Sequence, residues 1–251
     1  MRIPSTPRLP ARHQPPAPLH THELGMDMSP RTKVRPVQLS AFSDVQPDKP
    51  IGPILPSVFV GTNSDLLAAV APYYLTGSVC DLTYGEGKWW DRFRPDPFVA
   101  HDKFKVDGVD FTDLPEADNT YDAVCFDPPY IPQGGVDKST KRDGDFLGRF
   151  GLTKSMSDRE LWDMVAGGMR EAFRVAKPGG WVLVKCMDFV NGDALTLGHV
   201  EVIRMADDLG ARRWDLIVHN TGSGPGGHNI FDPKRARRHH SYLLVFKKVA
   251  K

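Results

Sequence analysis

Hydrophobic and polar positions along this chain follow two different patterns. Apolar runs bounded by turn residues predict buried strands at residues 78–82, 97–100, 106–111, 123–126, 181–186, 214–219 and 242–247. Apolar residues spaced three and four apart predict helices at residues 63–75, 158–177 and 199–209. This alternation predicts an α/β fold, with a doubly wound, mostly parallel, seven-stranded sheet and helices on both faces.

The first part of the chain lacks this periodicity. Residues 1–56 hold 12 of the 22 prolines. Such a composition cannot bury enough apolar surface to offset the entropy of ordering the chain. We therefore expect a Pro-rich, disordered segment over residues 1–55 and one folded domain over residues 56–251.

Overall composition narrows the class of protein without naming a partner. The 251 residues are 40% hydrophobic and 25% charged, with a net charge of +1, which is typical of a soluble globular protein. The sequence contains no apolar stretch long enough to span a membrane and no secretory signal pattern. The three cysteines (Cys80, Cys125, Cys186) are widely spaced within predicted strands, which indicates buried thiols. These features predict a cytoplasmic protein without membrane association, disulfides or a metal site.

One short stretch carries the strongest chemical signal. The apolar run over residues 123–126 ends in Asp127, Pro128, Pro129 and Tyr130. Because proline cannot donate to a central ladder, the strand must stop at Asp127, at the edge where open α/β sheets bind ligands. A carboxylate, a stiff backbone carbonyl and an aromatic face suit a planar ring that carries an amino group.

The Asp-Pro-Pro-Tyr tetrapeptide resembles the signature of amino-methyltransferases, which move a methyl group from S-adenosylmethionine to an exocyclic nitrogen of a nucleobase. The resemblance implies that Asp127, Pro128, Pro129 and Tyr130 are the catalytic residues. The Lys-Pro-Gly-Gly and Lys-Cys-x-Asp motifs around residues 181–186 and the closing Arg-Arg-His-x-Ser-Tyr-Leu-Leu-Val-Phe run resemble DNA methylases of the N6-adenine and N4-cytosine group. The resemblance covers about residues 57–248.

Acids also end the strands that precede Asp127. Asp81 is followed by the Gly85-x-Gly87 turn, where glycines let the backbone approach a ligand closely. Asp102 comes after the next apolar run, and an acid about 20 residues beyond a glycine-rich turn binds ribose hydroxyls in dinucleotide folds. This order resembles the class I S-adenosylmethionine-dependent methyltransferases, and the resemblance implies a Rossmann-like sheet whose final strand is antiparallel. The resemblance implies S-adenosylmethionine as cofactor, held by Asp81, Thr83, Tyr84, Gly85, Gly87, Asp102, Asp110, Phe111 and Asp127.

Basic residues mark candidate contacts with nucleic acid. Some lie in the polar, glycine-rich insert over residues 131–157, one lies at a strand end, and others form a cluster before the final strand. They are Lys138, Lys141, Arg142, Arg149, Lys185, Lys234, Arg235, Arg237 and Arg238. The alternative interpretations are a disordered surface loop for the insert, a structural ion pair for Lys185 and a solvated charged surface for the cluster.

Three functions remain open at this point. The first is a DNA amino-methyltransferase acting on adenine N6 or cytosine N4. The second is an RNA base methyltransferase, and the third is a non-catalytic partner subunit that keeps the fold to bind nucleic acid. A homodimer is compatible with each of them.

Overall fold

The computed structural model describes residues 54–130, 156–191, 194–221, 236 and 238–250. The predicted disordered segment falls almost wholly outside these residues and stays a prediction. The strands are β1 (Val58–Val60), β2 (Val79–Asp81), β3 (Phe98–Ala100), β4 (Tyr121–Phe126), β5 (Ala176–Cys186), β6 (Phe189–Asn191), β7 (Ala194–Thr196), β8 (Arg212–Asn220) and β9 (His240–Lys247). The helices are α1 (Asn63–Tyr74), α2 (Asp158–Val175) and α3 (Gly198–Asp208), with a 3₁₀ turn at Lys88–Trp90.

The predicted fold class is confirmed. Within the described residues, a seven-stranded sheet runs in the order β1-β8-β9-β5-β4-β2-β3. Of these strands only β9 runs antiparallel to its neighbours, β5 and β8, so the sheet is mostly parallel with an antiparallel final strand. The parallel strands β2, β3, β4 and β5 bring their carboxyl ends to one edge, which is where ligands bind in open α/β sheets.

One predicted strand is absent and another element takes its place. Residues 106–111 form no strand; the Asp102 carbonyl accepts hydrogen bonds from the N–H groups of residues 106, 107 and 108. A strand cannot form there, because these N–H groups turn back onto one carbonyl and Gly108 adopts a positive φ of 81°. The seventh strand is instead β1, which pairs in parallel with β8 at the far edge.

The helices cover both faces of the sheet. On one face α2 and α3 bury Leu161, Met169 and Val202 against inward-facing side chains of β4, β5 and β9. On the other face α1 buries Leu66 and Val70 together with the two tryptophans of the 3₁₀ turn. The sheet is therefore buried on both sides and its carboxyl edge is held between two packed layers.

Side-chain caps fix where the two longest helices begin. Thr62, not Asn63 or Ser64 as the sequence indicates, caps α1 through a reciprocal pair of hydrogen bonds with Asp65. Ser157 and Glu160 cap α2 in the same way. At its other end α2 passes into β5 without a loop, since Ala176 already pairs with Tyr121. The predicted strand thus starts five residues earlier than the apolar pattern indicates.

All three cysteines of the chain are buried and free. Burial is the first cause that raises the pKa of the Cys80, Cys125 and Cys186 thiols. Thiolate is the reactive form, so these side chains act as small apolar groups. In the described part of the chain, no helix has the length and apolarity needed to cross a membrane, and no cluster of side chains has the composition of a metal site.

Candidate active site

A cavity of about 600 Å³ opens at the carboxyl edge of β2, β3 and β4. This volume lies in the range of small-molecule sites. Most of the residues that the sequence assigns to a cofactor contribute to its wall, as does one proline of the Asp-Pro-Pro-Tyr motif. They are Thr83, Gly85, Asp102, Asp110, Phe111, Asp127 and Pro129. The cavity therefore joins the predicted cofactor residues to the predicted catalytic residues.

Asp81 lies behind the cavity wall instead of lining it. One carboxylate oxygen accepts the Thr83 N–H at 2.9 Å and the other accepts the Trp90 indole N–H at 2.6 Å. The side chain is 2% exposed, and this burial raises its pKa to about 7 against the opposing effect of the Trp90 hydrogen bond. Asp81 thus shapes the glycine turn from beneath.

The glycine turn is compact and needs its glycines. Gly87 has a φ of 72° and donates its N–H to the Tyr84 carbonyl at 2.8 Å. A methyl group at Gly87 would collide with the Tyr84 ring. Tyr84 and Gly87 therefore support the turn from outside the cavity, while Gly85 lines it.

Asp102 organises the loop that replaces the predicted third strand. Its carboxylate accepts the N–H groups of Gly85, Phe104 and Lys105 at 2.8–2.9 Å. The contact with Gly85 joins the loop after β3 to the glycine turn after β2. Asp102 also lines the cavity, and three backbone donors fix the position of its carboxylate there.

Asp110 and Phe111 form the next part of the wall. Asp110 accepts hydrogen bonds from Lys103 Nζ at 2.7 Å and from the Thr112 N–H at 3.0 Å. Burial raises the pKa of Asp110, but the Lys103 and Thr112 bonds outweigh it and lower the pKa overall. The Phe111 ring lies 5.2 Å from the Phe126 ring and offers an apolar surface beside the carboxylate.

Asp127 stands at the tip of β4, as the sequence predicts. Its N–H donates to Thr83 Oγ1 at 2.8 Å, which ties the tip of β4 to the glycine turn. The side chain is partly exposed to the cavity. Burial raises the pKa of the carboxyl group, and the nearby Lys185 charge opposes that rise.

The two prolines are buried and Tyr130 begins an aromatic row. The Tyr130 hydroxyl donates to the Lys185 carbonyl at 3.2 Å, so the ring is anchored to the end of β5. Its ring meets Trp162 edge-on at 6.3 Å, and Trp162 stacks on Phe189 at 6.1 Å. An aromatic surface therefore continues from the Asp-Pro-Pro-Tyr motif onto α2.

Helix α2 contributes a side of the cavity that the sequence did not predict. Asp163, Met164, Gly167 and Arg170 all line it. A signal for this was present in the adjacent glycines 167 and 168, because glycine inside a helix costs about 1 kcal/mol relative to alanine and often marks a close approach. The apolar stripe of the helix indicated packing alone.

The predicted nucleic-acid contacts are mostly not placed. Lys138, Lys141, Arg142, Arg149, Lys234, Arg235 and Arg237 lie outside the described residues. Arg238 is partly exposed and donates to the Ala236 carbonyl at 3.1 Å. Lys185 is buried, with 9% exposure, and its surroundings are those of an internal residue.

His101 joins the glycine turn after β2 to the loop after β3. Its Nδ1 lies 2.6 Å from Asp107 and its Nε2 lies 2.7 Å from Glu116. The backbone N–H of His101 donates to the Asp81 carbonyl, and the His101 carbonyl accepts a hydrogen bond from the Tyr84 N–H. Burial lowers the pKa of this imidazole, but the Asp107 and Glu116 carboxylates outweigh burial and raise it overall.

We expect His101→Gln to destabilise the fold at pH 6 by about 2 kcal/mol, the value of hydrogen bonds to charged groups. Because the pKa of His101 is higher in the folded than in the unfolded state, the charged imidazole stabilises the fold fully below the unfolded pKa of about 6.5. This stabilisation is lost as the pH rises through the pKa of the folded state. The difference from wild type should therefore shrink by pH 9. Urea unfolding at both pH values measures it, with His239→Gln at an exposed position as control. A difference that does not change with pH would mean a neutral imidazole.

Comparison with known proteins adds likeness of structure but not of sequence. No protein-family profile matches the chain, and no curated protein resembles it significantly in sequence. A candidate DNA modification methylase from Thermus thermophilus, solved with S-adenosyl-L-methionine, matches with a TM-score of 0.38 and 15% identity over 55% of this chain and 51% of its own. The chain thus spans about half the length of that protein.

Two other solved proteins show a similar degree of likeness. TrmN from Thermus thermophilus has a TM-score of 0.44 and 13% identity over 74% of this chain and 49% of its own. A SAM-dependent methyltransferase from Methanosarcina mazei has a TM-score of 0.40 and 10% identity over 70% of this chain and 93% of its own. At this level of similarity, the chemistry of the site has to be judged from its own residues.

Proposed function

We propose that this protein transfers a methyl group from S-adenosylmethionine to an exocyclic amino group of a nucleobase in DNA, at adenine N6 or cytosine N4. The observation that supports this most is the position of Asp127. Its carboxylate is at the tip of a central strand, borders the cavity, and is followed by two buried prolines and an anchored tyrosine. This arrangement suits recognition of a planar ring bearing an N–H donor.

The cavity fits the proposed cofactor in size and in chemistry. Gly85 lets a ligand approach the backbone, and the Asp102 carboxylate suits ribose hydroxyls. Asp110 suits an amino group of adenine, with Phe111 as its apolar neighbour. When bound, S-adenosylmethionine would supply an activated methyl group: the amino nitrogen would form the new N–C bond with its lone pair, and the sulfur would keep the electrons of the broken S–C bond.

The residues of this chain would activate and hold the amino group. Its lone pair is delocalised into the ring, which makes the nitrogen a poor nucleophile. Hydrogen bonds to the Asp127 carboxylate and the Pro128 carbonyl would favour tetrahedral nitrogen and stabilise the positive charge that develops there. The proton that the methylated nitrogen then loses would pass to Asp127 or to water, which balances the reaction.

Tyr130 would hold the base in place. A base must leave the duplex, or start in a single strand, to reach such a site, and aromatic rings commonly stack on the extruded base. The partly exposed rings of Tyr130 and Trp162, which meet edge-on, provide such a surface beside the motif. Alignment of the nitrogen with the methyl group would supply much of the rate enhancement.

A labelling experiment tests the proposal directly. Purified protein is incubated with methyl-labelled S-adenosylmethionine and, separately, with duplex DNA, single-stranded DNA or total RNA, and nucleosides are then separated by chromatography. We expect label in N6-methyladenine or N4-methylcytosine from DNA. Label in RNA alone would move the function to an RNA base methyltransferase, and cofactor binding without label in any sample would favour a non-catalytic subunit.

A further inference from the structure

Lys185 lies beside Asp127 at the carboxyl edge of the sheet. Strands β4 and β5 run in parallel and their last paired residues are Phe126 and Val184. Asp127 and Lys185 follow directly after this pair on neighbouring strands, which lie about 4.8 Å apart in a sheet. The sheet itself therefore places the backbone of Lys185 next to that of the proposed catalytic residue Asp127.

The surroundings of Lys185 exclude it from the surface. The side chain is 9% exposed. Its ammonium donates to Asn63 Oδ1 at the start of α1 and lies 5.9 Å from the centre of the Trp89 ring. A lysine is almost never buried unless it is paired, and a single neutral amide is a weak partner for a full charge.

Lys185 and Asp127 lie close enough for the charge of each to affect the pKa of the other. Burial lowers the pKa of Lys185, and Asp127 is the first group that opposes this. In turn, burial raises the pKa of Asp127 and Lys185 opposes it. The other ionisable groups that face this pair come from β2, β5, β8 and the segment after β4: Asp81, Cys186, His219 and Tyr130.

We propose that Lys185 is a positioning residue that keeps Asp127 ionised, so that the carboxylate accepts hydrogen bonds from the substrate amino group. This inference rests on the proposed function. It gives Lys185 a role beside Asp127 in place of the predicted contact with the phosphate backbone of a nucleic acid. A protonated Asp127 would itself occupy one acceptor position with its own proton. The anchor at Asn63 holds the ammonium away from the cavity, because it fixes the side chain toward α1.

Two substitutions separate charge from shape. Lys185→Gln removes the charge and keeps a donor for Asn63, whereas Lys185→Arg keeps the charge. For Lys185→Gln we expect the acid limb of the single-turnover pH–rate profile to move up by about one pH unit, as for loss of a nearby opposite charge. At a pH below that limb, the rate of the variant should be about tenfold lower than the wild-type rate at the same pH, because one pKa unit corresponds to a factor of ten. The profile of Lys185→Arg should stay close to wild type.

Controls keep the result specific. Lys88→Met removes an exposed positive charge at the same edge of the sheet and should leave the pH–rate profile unchanged. Cofactor affinity should be unchanged in every variant. Lys185→Met replaces Lys185→Gln if the latter does not fold. Superimposed profiles for wild type and the neutral variant would overturn the proposal, and so would an equal shift for Lys185→Arg.

A second readout does not depend on activity. The Asp127 carboxyl carbon is titrated by ¹³C NMR in wild type and in the neutral variant, with Asp127→Asn identifying the signal. We expect the titration of Asp127 to move to higher pH without the Lys185 charge, and an unchanged titration would overturn the inference. Should wild type transfer no methyl group, the proposed function fails while the NMR result still decides the coupling of the two residues.

Discussion

Asp127→Ala is expected to slow methyl transfer by about 100-fold or more, the usual effect of losing one group that stabilises transition-state charge. The carboxylate is the proposed acceptor for the substrate N–H, and it is the acidic side chain that directly follows β4. Affinity for S-adenosylmethionine should stay within a few-fold of wild type. Single-turnover rates measure the first effect and isothermal calorimetry measures the second.

The contrast with Asp102→Ala makes this prediction specific. Asp102 lines the cavity and holds its loop, so its removal should weaken cofactor affinity first. Asp113→Asn, at an exposed position of the same region, controls for loss of a negative charge. If Asp127→Ala weakened cofactor binding as strongly as it slowed transfer, Asp127 would be a cofactor ligand and not the acceptor for the amino group.

Gly168→Ala is expected to destabilise the fold by about 2 kcal/mol, although alanine favours a helix by about 1 kcal/mol over glycine. The added methyl group would collide with the tip of the fully buried Phe126 ring and come within 2.9 Å of Phe111 Cδ2. Overpacking of a dense core typically costs about 1–3 kcal/mol or more, so packing outweighs helix propensity. Urea unfolding of the variant measures the difference.

The neighbouring glycine offers a matched control. A methyl group at Gly167 would come within 2.9 Å of the Thr112 methyl group, and Thr112, unlike Phe126, is exposed. Gly167→Ala should therefore destabilise the fold less than Gly168→Ala, because the side chain of an exposed threonine gives way at a lower cost than a fully buried ring. Phe126→Leu replaces the ring that the new methyl group of Gly168→Ala would meet with a smaller side chain. The double variant should therefore lose less stability than the sum of the two single losses. Additive effects would show that the ring does not limit the space.

The strands that the sequence predicts well are those whose apolar runs end abruptly. Phe126 is followed by an acid and two prolines, and β4 ends there in the structure. The local chemistry of proline decides that boundary without help from the rest of the fold. Asp127, Asp102 and Gly85 reach the cavity because each closely follows a strand of the parallel sheet.

The failures arise where distant contacts decide the local structure. Residues 106–111 have an apolar pattern, yet the carbonyl and carboxylate of Asp102 draw the backbone N–H groups of that segment and the residues before it into a loop. The hydrogen bond from the Trp90 indole to the Asp81 carboxylate is likewise not visible in the sequence, while the predicted cofactor role of Asp81 stays a prediction. A pattern along the chain does not show which of two donors, a ligand or an indole, reaches a buried acid.

The burial of every cysteine gives this protein a practical property. None of the three thiols is accessible or readily ionised, so the folded chain should be almost silent toward maleimides. The variant Phe104→Cys, at a position that is 56% exposed and borders the cavity, would then carry a fluorophore without background labelling. Such a probe would let ligand entry be followed in real time, in the natural sequence apart from one residue.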